Sequence, residues 1–273
     1  MNNRINGLME YLDSARSVFH AVEGLRNILE AQGYTRLQES GKWELAAGGK
    51  YYMTRGGASI MAFRIPNAAP TGFMMSASHS DRPTFKVKEN AELCGAYTRL
   101  AVERYGGMLI APWLDRPLSV AGRVVVETEK GIEIRLVDMD RDLLLMPNVA
   151  IHMNRNANEG YKWNPATDTI PLLGDKETAD FWKELENLAG GKILGHDLYL
   201  YVRQKASVWG LEQEFVSAPA IDDLMCAWCC AQGFLEADGR GGDDVLQRAA
   251  LGAGEHGGVD LLGKLLAAQN QTA

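Results

Sequence analysis

The sequence predicts an α/β domain built from the two ends of the chain, with a β-rich domain inserted between them. Apolar residues recur at helical spacing over residues 5–33 of the 273-residue chain, and Gly33 is typical of a helix end. The run TGFMMSASH at 71–79 is apolar without alternation, which predicts a strand buried on both faces. Between about 85 and 205, strand-like segments dominate and helical spacing is scarce.

The amino-terminal part is predicted to hold two helices followed by short strands. The helices separate at Ser14 and Ser17, which interrupt the apolar spacing. Strands are expected in KWELA (42–46), GKYYMTRG (49–56) and ASIMAFRI (58–65), because each run is bounded by glycine or a turn.

The middle of the chain is predicted to consist mainly of strands. Lys130 and Gly131 indicate a hairpin turn. A surface helix is expected over about 176–189, and LGHDLYLYVR, at about 195–203, predicts a further strand. The strands expected before that helix are FKVKEN, YGGMLI, LSVAGRVVVET, GIEIRLVDM and VAIHMN.

These patterns place the α/β domain at residues 1–87 together with 206–273, and the inserted β-rich domain at 88–205. After the insertion, SAPAIDDLMCAWCCAQGFLEA predicts a loop and then a helix of about twelve residues. Asp222 and Asp223 lie in its first turn, where carboxylates complement the helix dipole.

The last part of the chain differs from the rest in amino-acid composition. Residues 237–273 have no aromatic residue and lack strand-like apolar runs. We therefore expect no strand in front of GAGEHGG at 252–258, and we interpret residues 237–273 as a frameshifted or truncated tail.

Charge and apolar content exclude two classes of protein. The net charge of −7 argues against a general nucleic-acid-binding protein, which needs a basic surface. The chain has no run of about 18 apolar residues, and its start lacks a secretory apolar core. The sequence predicts a cytoplasmic protein that binds neither nucleic acid nor a membrane.

The four cysteines, Cys94, Cys226, Cys229 and Cys230, are predicted to be unpaired and buried. Cys226 and Cys229 form a C-x-x-C motif, but their segment indicates a buried helix, and no second C-x-x-C completes a zinc ribbon. Free cysteine packs as a small hydrophobic residue, and unpaired thiols suit a reducing cytoplasm.

His79 and Asp81 form a short H-x-D motif where the apolar run ends. Residues i and i+2 of a strand project to the same side, so His79 can bind a metal while Asp81 orients it. The alternative is a polar strand end with local hydrogen bonds. Asp222, at a loop-to-helix junction, can reach the carboxyl edge of a sheet, where ligands gather, or it can serve as a helix N-cap.

Five blocks of sequence resemble the aspartyl aminopeptidase family of zinc exopeptidases, in family order and across about residues 10–235. The run WLDRPLSVAGR within the second block is rather specific to that family. The blocks are HSDRPTFKVKEN, YGGMLIAPWLDRPLSVAGRVVV, LMPNVAIHMNRNANEG, LGHDLYLY and EFVSAPAIDDLMCA.

The resemblance implies a zinc-exopeptidase-like α/β domain with an inserted β-rich domain that mediates dimerisation in a homo-oligomer. In it, His79 ligates one zinc ion, Asp81 supports His79, and Asp222 bridges two zinc ions. His152 helps to bind substrate in the site of a neighbouring subunit, whereas by its own sequence context it reads as a strand histidine at a surface. The implied reaction is removal of amino-terminal Asp or Glu residues from peptides.

The chain departs from the family pattern in two places. Arg82 stands where the family has serine in H-x-D-S-P, and no D-N-E-E-x-G-S block, which supplies the general base and a metal ligand, follows Asp222. Glu255 and His256 are expected to be solvent-exposed and without function. We therefore expect an incomplete metallopeptidase domain whose second-site ligands are missing and which is inactive alone. The alternatives are a non-catalytic assembly module and another kind of two-zinc hydrolase.

Overall fold

The chain folds into two compact units, each with its own sheet and hydrophobic core. Among the described residues, no helix has both the length and the apolar character needed to cross a membrane. The computed structural model describes residues 3–68, 71–175, 180–237 and 245–252. The first unit contains residues 1–82 and 206–273, and the second contains residues 83–205.

The first unit carries helices α1 (Asn3–Ser14), α2 (Val18–Ala31) and α5 (Ile221–Glu236), and the second carries α3 (Pro165–Asp168) and α4 (Phe181–Ala189). The predicted break between the first two helices is confirmed. Ser17 is the N-cap of α2, and its side chain accepts a hydrogen bond from the backbone N–H of His20. Gly33, just past the end of α2, has a φ of +78°, which glycine adopts without steric cost.

The first sheet lies in the first unit and has the order β1-β2-β3-β13-β4. β2 and β3 form an antiparallel hairpin, while β13 runs antiparallel to β3 and parallel to β4. Helices α1, α2 and α5 pack into one core with Tyr52, Ile60 and Ala62 of this sheet. The strands are β1 (Thr35–Arg36), β2 (Lys50–Arg55), β3 (Ser59–Arg64), β4 (Gly72–His79) and β13 (Val245–Gly252).

The prediction of a strand in KWELA is wrong. Trp43 and Leu45 instead pack against the small core cluster that contains Phe63. The indole N–H of Trp43 donates to the carbonyl of Gln38 over 2.8 Å. The alternating apolar residues of this segment therefore cover a sheet face without joining a ladder.

The expectation of a tail without a strand is also wrong, because β13 lies within it. The short run VLQRAALG has modest strand propensity, but it pairs with β3 on one side and with β4 on the other. Its last residue, Gly252, is in register with His79, so a strand does precede GAGEHGG. Glu255 and His256 lie outside the described residues.

Strand β4 is not buried on both faces as predicted. It is the last strand of the described sheet, and Phe73, Met74 and Met75 are 44%, 52% and 56% exposed. Successive residues of a strand point to opposite faces, so apolar side chains are exposed on both sides of β4. In the described part of the chain, α5 is the helix that packs on it.

The second sheet, in the second unit, has the order β8-β7-β10-β5-β6-β9. Its core is closed by α4, which buries Phe181, Leu185 and Ala189. The predicted hairpin between β7 and β8 is confirmed, with Gly131 at the turn. The strands are β5 (Thr84–Leu93), β6 (Tyr97–Tyr105), β7 (Leu118–Thr128), β8 (Gly131–Asp138), β9 (Leu172–Asp175) and β10 (Lys192–Val202); a separate hairpin, β11 (Ser207–Trp209) and β12 (Phe215–Ser217), belongs to the first unit.

Two predicted strands of the second unit are absent, and β6 lies where no strand is expected from the sequence. YGGMLI leaves the ladder after Tyr105, because Gly106 has a φ of +78° and turns the chain. VAIHMN forms turns in which the N–H of Met153 donates to the carbonyl of Ala150 over 2.8 Å. His152 therefore lies in an exposed turn and not on a strand.

A glycine allows β7 and β10 to approach closely. A Cβ atom at Gly122 would lie 2.1 Å from the backbone oxygen of Asp197 and 2.9 Å from Cα of Leu198. Real Cβ atoms do not tolerate such contacts, so only glycine fits at this point of the ladder. The glycine of the SVAGRVVV run thus has a packing role.

The prediction that the cysteines are buried is wrong, although all four are unpaired. Cys94, Cys226 and Cys229 are exposed, and Cys230 is half-buried. The latter three lie on α5, whose buried face is formed by Leu224, Ala227, Trp228, Ala231 and Phe234. The helix is therefore buried on one side only, and Cys226 and Cys229 lie on its open side.

Candidate metal centre

His79 ends β4 and is held by the residue two positions later. Its Nδ1 lies 3.0 Å from the carboxylate Oδ1 of Asp81 and 3.1 Å from the Asp81 backbone oxygen. Both oxygens are acceptors, so in the neutral ring the proton sits on Nδ1 and the lone pair on Nε2. Asp81 thereby selects the tautomer in which Nε2 can bind a metal.

The residues between and after this pair are anchored elsewhere. Ser80 is fully buried, and its hydroxyl donates to the carbonyl of Ala58 over 3.2 Å. The guanidinium of Arg82 donates to the carbonyl of Arg16 over 2.8 Å. The H-S-D-R segment thus alternates between side chains that form the site and side chains that fix the segment to the first unit.

Asp222 and Asp223 begin α5 with an unusual backbone. The N-cap position is Ala220, with a φ of 64° and no side-chain capping bond, and Asp222 has the non-helical angles φ −88° and ψ 108°. The peptide bond between Asp222 and Asp223 is cis. The angles of Asp222 are extended, as those of an N-cap residue are, so the N-cap alternative for Asp222 stands beside the metal alternative.

The end of β4 and the first turn of α5 bring three side chains that can bind a metal close together. One ligand atom each from His79, Asp222 and Asp223 lies within 4.8 Å of the others. Nε2 of His79 is 3.3 Å from Oδ2 of Asp223. Among the described residues, this is the group of His, Cys, Asp and Glu side chains arranged to hold an ion.

The sequence also matches a known family over most of its length. The family model described as Aminopeptidase I zinc metalloprotease (M18) matches residues 11–246. The chain belongs to the M18 family. The resemblance to zinc aminopeptidases that the sequence blocks indicate is thereby confirmed.

Curated M18 relatives are similar to the chain but longer. A probable M18 family aminopeptidase 2 of Clostridium novyi is 38% identical over 256 residues, which is 87% of this chain and 59% of the relative. One from Pseudomonas aeruginosa strain UCBPP-PA14 is 38% identical over 246 residues, covering 85% of this chain and 57% of the relative. The chain thus spans less than two thirds of the length of these M18 relatives.

Solved structures agree on an α/β fold. Chaetomium thermophilum mApe1 has a TM-score of 0.85 at 28% identity and covers 95% of this chain and 67% of its own. The matching chain in the cryo-EM structure of the Ape4 and Nbr1 complex has a TM-score of 0.84 at 29% identity, and the match covers 91% of this chain and 53% of that chain. An M18 aminopeptidase from Thermotoga maritima has a TM-score of 0.76 at 18% identity, and the match covers 96% of this chain and 63% of that chain. At this low identity the likeness supports the fold alone. The predicted fold class is confirmed.

The donor set of the M18 chain fits zinc. Imidazole nitrogen and carboxylate oxygen are both zinc ligands, and catalytic zinc sites use three protein ligands with a position left open. His79, Asp222 and Asp223 offer such a set, and His79 is 47% exposed.

Asp223 was missed as a metal-binding candidate in the sequence. Its acidic neighbour Asp222 was chosen, and Asp223 was explained by the helix dipole. The signal that identifies it is the consecutive acidic pair beside a histidine motif, since either carboxylate can face a ligand when the chain turns there.

Asp223 also acts on a thiol of its own helix. Interaction with the Asp223 carboxylate raises the pKa of the Cys226 thiol to about 11. At neutral pH the thiol is therefore protonated.

His152 is not part of the group of three. It lies in the second unit, in the exposed turn described above.

Proposed function

We propose that this chain carries part of the active site of a zinc-dependent aminopeptidase. The observation that carries the proposal is the group formed by His79, Asp222 and Asp223, with Asp81 behind His79, in a chain of the M18 family. Zinc supplies Lewis-acid polarisation of a carbonyl group and activates water for hydrolysis.

Each residue of the group has a separate task. Asp81 accepts a hydrogen bond from Nδ1–H of His79 and keeps Nε2 available as a ligand. Asp222 has two carboxylate oxygens and would be the ligand shared by the two zinc ions that we propose for the complete site. Asp223, whose Oδ2 lies 3.3 Å from Nε2 of His79, would add the third donor.

We further propose that residues 1–273 alone have little peptidase activity. In the described part of the chain, no glutamate joins the group of three to take a proton from water. A positioned general base contributes about 10²–10⁴-fold to the rate. The ligands needed for the second zinc ion are also lacking in the group.

The substrate proposed for the complete site is a peptide with an amino-terminal Asp or Glu residue. The five sequence blocks that resemble aspartyl aminopeptidases support this specificity. We assign His152 to substrate binding in the site of a neighbouring subunit, since its exposed turn leaves it accessible. We also propose that the protein acts in the cytoplasm.

The second unit is proposed to mediate a homo-oligomer. On β8, Ile132, Ile134 and Leu136 are 70%, 67% and 39% exposed and share one face. Within the described sheet, β8 pairs with β7 alone. A free strand edge beside an apolar face suits pairing with a second copy, and this observation also favours the alternative of a non-catalytic assembly module.

Zinc titration against a competing chelator tests the metal site. We expect His79→Ala and Asp222→Asn to weaken zinc binding by more than about 100-fold, since loss of a ligand exceeds the usual effect of an outer partner. His152→Ala is the control and should bind zinc as the wild type does. Equal affinity in all four proteins would contradict the proposal.

Hydrolysis of aspartyl, glutamyl and leucyl anilides tests activity and specificity, with the Clostridium novyi relative as reference. We expect turnover by this chain to be lower by about 10²-fold or more, with residual activity favouring the acidic substrates. Normal turnover would contradict the proposed inactivity, and a preference for leucine would contradict the proposed specificity.

Light scattering after size-exclusion chromatography tests the assembly. We expect a dimer that Ile134→Lys converts to a monomer, whereas Leu211→Lys, at a 94% exposed position of the first unit, leaves it intact. A dimer that binds no zinc would favour the assembly module over the enzyme.

A further inference from the structure

Helices α1, α2 and α5 of the first unit border a cleft of about 770 Å³. Clefts that bind small organic molecules have volumes of about 300–1,000 Å³. The metal group is separate from it, since His79, Asp222 and Asp223 are not among the described residues that line it. Uncharged residues that line the cleft are Gly7 and Tyr11 of α1, Gly24 and Ile28 of α2, and Trp228 and Gln232 of α5.

Two glycines leave space beside the aromatic rings of the cleft. A Cβ atom at Gly7 would lie 3.4 Å from Cζ2 of Trp228. One at Gly24 would lie 3.3 Å from Cδ2 and Cε2 of Tyr11. Side chains longer than a methyl group at these positions would therefore extend into the cleft or push the rings aside.

The charges of the cleft are unbalanced. Its charged lining residues are one cation, Arg4, and two anions, Glu10 and Glu236. A guanidinium nitrogen of Arg4 lies 2.8 Å from Oε2 of Glu236, so these two charges offset each other. The side chain of Glu10 is exposed and forms no ion pair or hydrogen bond with the described residues. One uncompensated carboxylate therefore remains, and it complements a positive charge.

We propose that this cleft binds a small organic ammonium ion, whose apolar body packs against Tyr11 and Trp228 and whose charged group lies beside Glu10. Aromatic side chains provide a large apolar contact surface, and their rings also attract cations. The amide oxygen of Gln232 is an acceptor for the N–H groups of such a ligand. The site goes beyond the proposed zinc chemistry and uses none of its residues.

Titration of the metal-free full chain with 2-phenylethylamine, followed by NMR, tests the cleft. The indole N–H signal of Trp228, assigned with Trp228→Phe, should shift with a Kd of about 1 mM. The uncharged 2-phenylethanol should bind about 3- to 5-fold more weakly, and the anionic 3-phenylpropionate more weakly still, because an exposed charge pair contributes little but measurably.

One pair of variants tests the charge. Glu10→Gln should weaken binding of the amine by about 3- to 5-fold and leave binding of the alcohol unchanged. Glu44→Gln is the control, because it removes an exposed carboxylate of the same unit that does not line the cleft.

A second pair tests the space. Gly7→Met should weaken binding of both probes by about 10-fold or more, because the added side chain occupies the volume that they fill. Gly233→Met is the control, since a Cβ at Gly233 of α5 meets no atom within 4 Å. Methionine favours a helix more than glycine does, so thermal unfolding should show that both variants fold.

The outcomes that overturn the proposal are distinct. A Trp228 signal that does not move up to about 10 mM amine would exclude the site. Shifts at His79 without shifts at Trp228 would assign the amine to the metal group instead. Equal affinity for the amine and the carboxylate, or in Glu10→Gln and the wild type, would overturn recognition of a cation.

Discussion

One aspartate of the second unit and two of the first have opposite surroundings. In the second unit, Asp197 is enclosed by cations: its carboxylate lies 2.9 Å from Nζ of Lys86 and 2.8 Å from a guanidinium nitrogen of Arg123. In the first unit, Asp222 and Asp223 gather around one imidazole. Among the described residues, no lysine or arginine forms an ion pair with either of them.

The difference separates a structural charge from the metal group proposed above. Burial alone raises the pKa of Asp197, but its hydrogen bonds to Lys86 and Arg123 lower it below the usual value, so the carboxylate is stabilised in its charged form. The carboxylates of the first unit lack such neutralisation and gain from an added cation. Neutralising Asp197 should therefore lower the free energy of unfolding, whereas neutralising Asp223 should raise it in the metal-free protein.

The largest effect is expected where backbone packing sets the position of Asp197. Gly122→Val places atoms against the Asp197 backbone, and we expect a loss of about 3 kcal/mol or more in unfolding free energy. Gly195→Ala is the control, because a Cβ at Gly195 meets no atom within 4 Å. Urea denaturation measures the unfolding free energy of both variants. Equal stability would show that β7 and β10 move apart at no cost to accommodate the valine side chain.

Removing the charge of Asp197 should have the next largest effect. Asp197→Asn leaves Lys86 and Arg123 without their anion, and we expect a loss of about 2 kcal/mol, typical of hydrogen bonds to charged groups. Asp142→Asn is the control, since the Asp142 side chain is 68% exposed in its pair with Arg203 and such pairs contribute little. Chemical denaturation measures the difference, and a neutral Asp197→Asn would end the structural interpretation.

A smaller, pH-dependent effect is expected at His196. Burial lowers its pKa, and within the described residues neither ring nitrogen has a hydrogen-bond partner. The unfolded chain therefore binds the proton more tightly, so stability should fall as pH drops from about 6.5 toward the lower folded-state pKa, and then level off. His196→Gln should flatten this slope, while His152→Gln, in an exposed turn, should leave it unchanged.

The smallest effect, and the one of opposite sign, is expected at the metal group. Asp223→Asn removes a negative charge from a crowded set, and we expect the metal-free protein to gain up to about 1 kcal/mol. Excess zinc should stabilise the wild type more than this variant. Thermal unfolding with and without zinc measures both, and a large loss of stability without metal would make Asp223 a structural residue like Asp197.

Sequence patterns predicted the second sheet where apolar residues are dense. β7 begins and ends at the predicted residues, 118–128, because Leu118, Val120, Val124 and Val126 fill the core. β6 was missed although its buried Thr98, Leu100 and Val102 alternate with outward-facing residues, because the exposed Arg99 and Glu103 lower its apolar content.

The first sheet was harder to predict because its partners are distant in sequence. β13 owes its strand conformation to two neighbours that lie more than 160 residues earlier. The apolar run of β4 correctly indicates a strand, but apolar character alone does not reveal what covers it. Local strand propensity reveals neither the distant pairing partners of β13 nor what covers β4.

The candidate site was predictable in part. The H-x-D spacing and the acidic residues at the start of α5 identify His79, Asp81 and Asp222 from the sequence. The 3.3 Å approach of Asp223 to Nε2 of His79 joins residues that are far apart in the sequence, and no spacing rule encodes it.

The anchoring of Ser80 and Arg82 also bears on the entropy of metal binding. Their hydrogen bonds to Ala58 and Arg16 hold the backbone of the H-x-D segment before an ion arrives. Little conformational freedom is then lost on binding, since the ordering has already taken place during folding. The segment behaves as a preorganised receptor, so its backbone conformation should be the same whether or not zinc is bound.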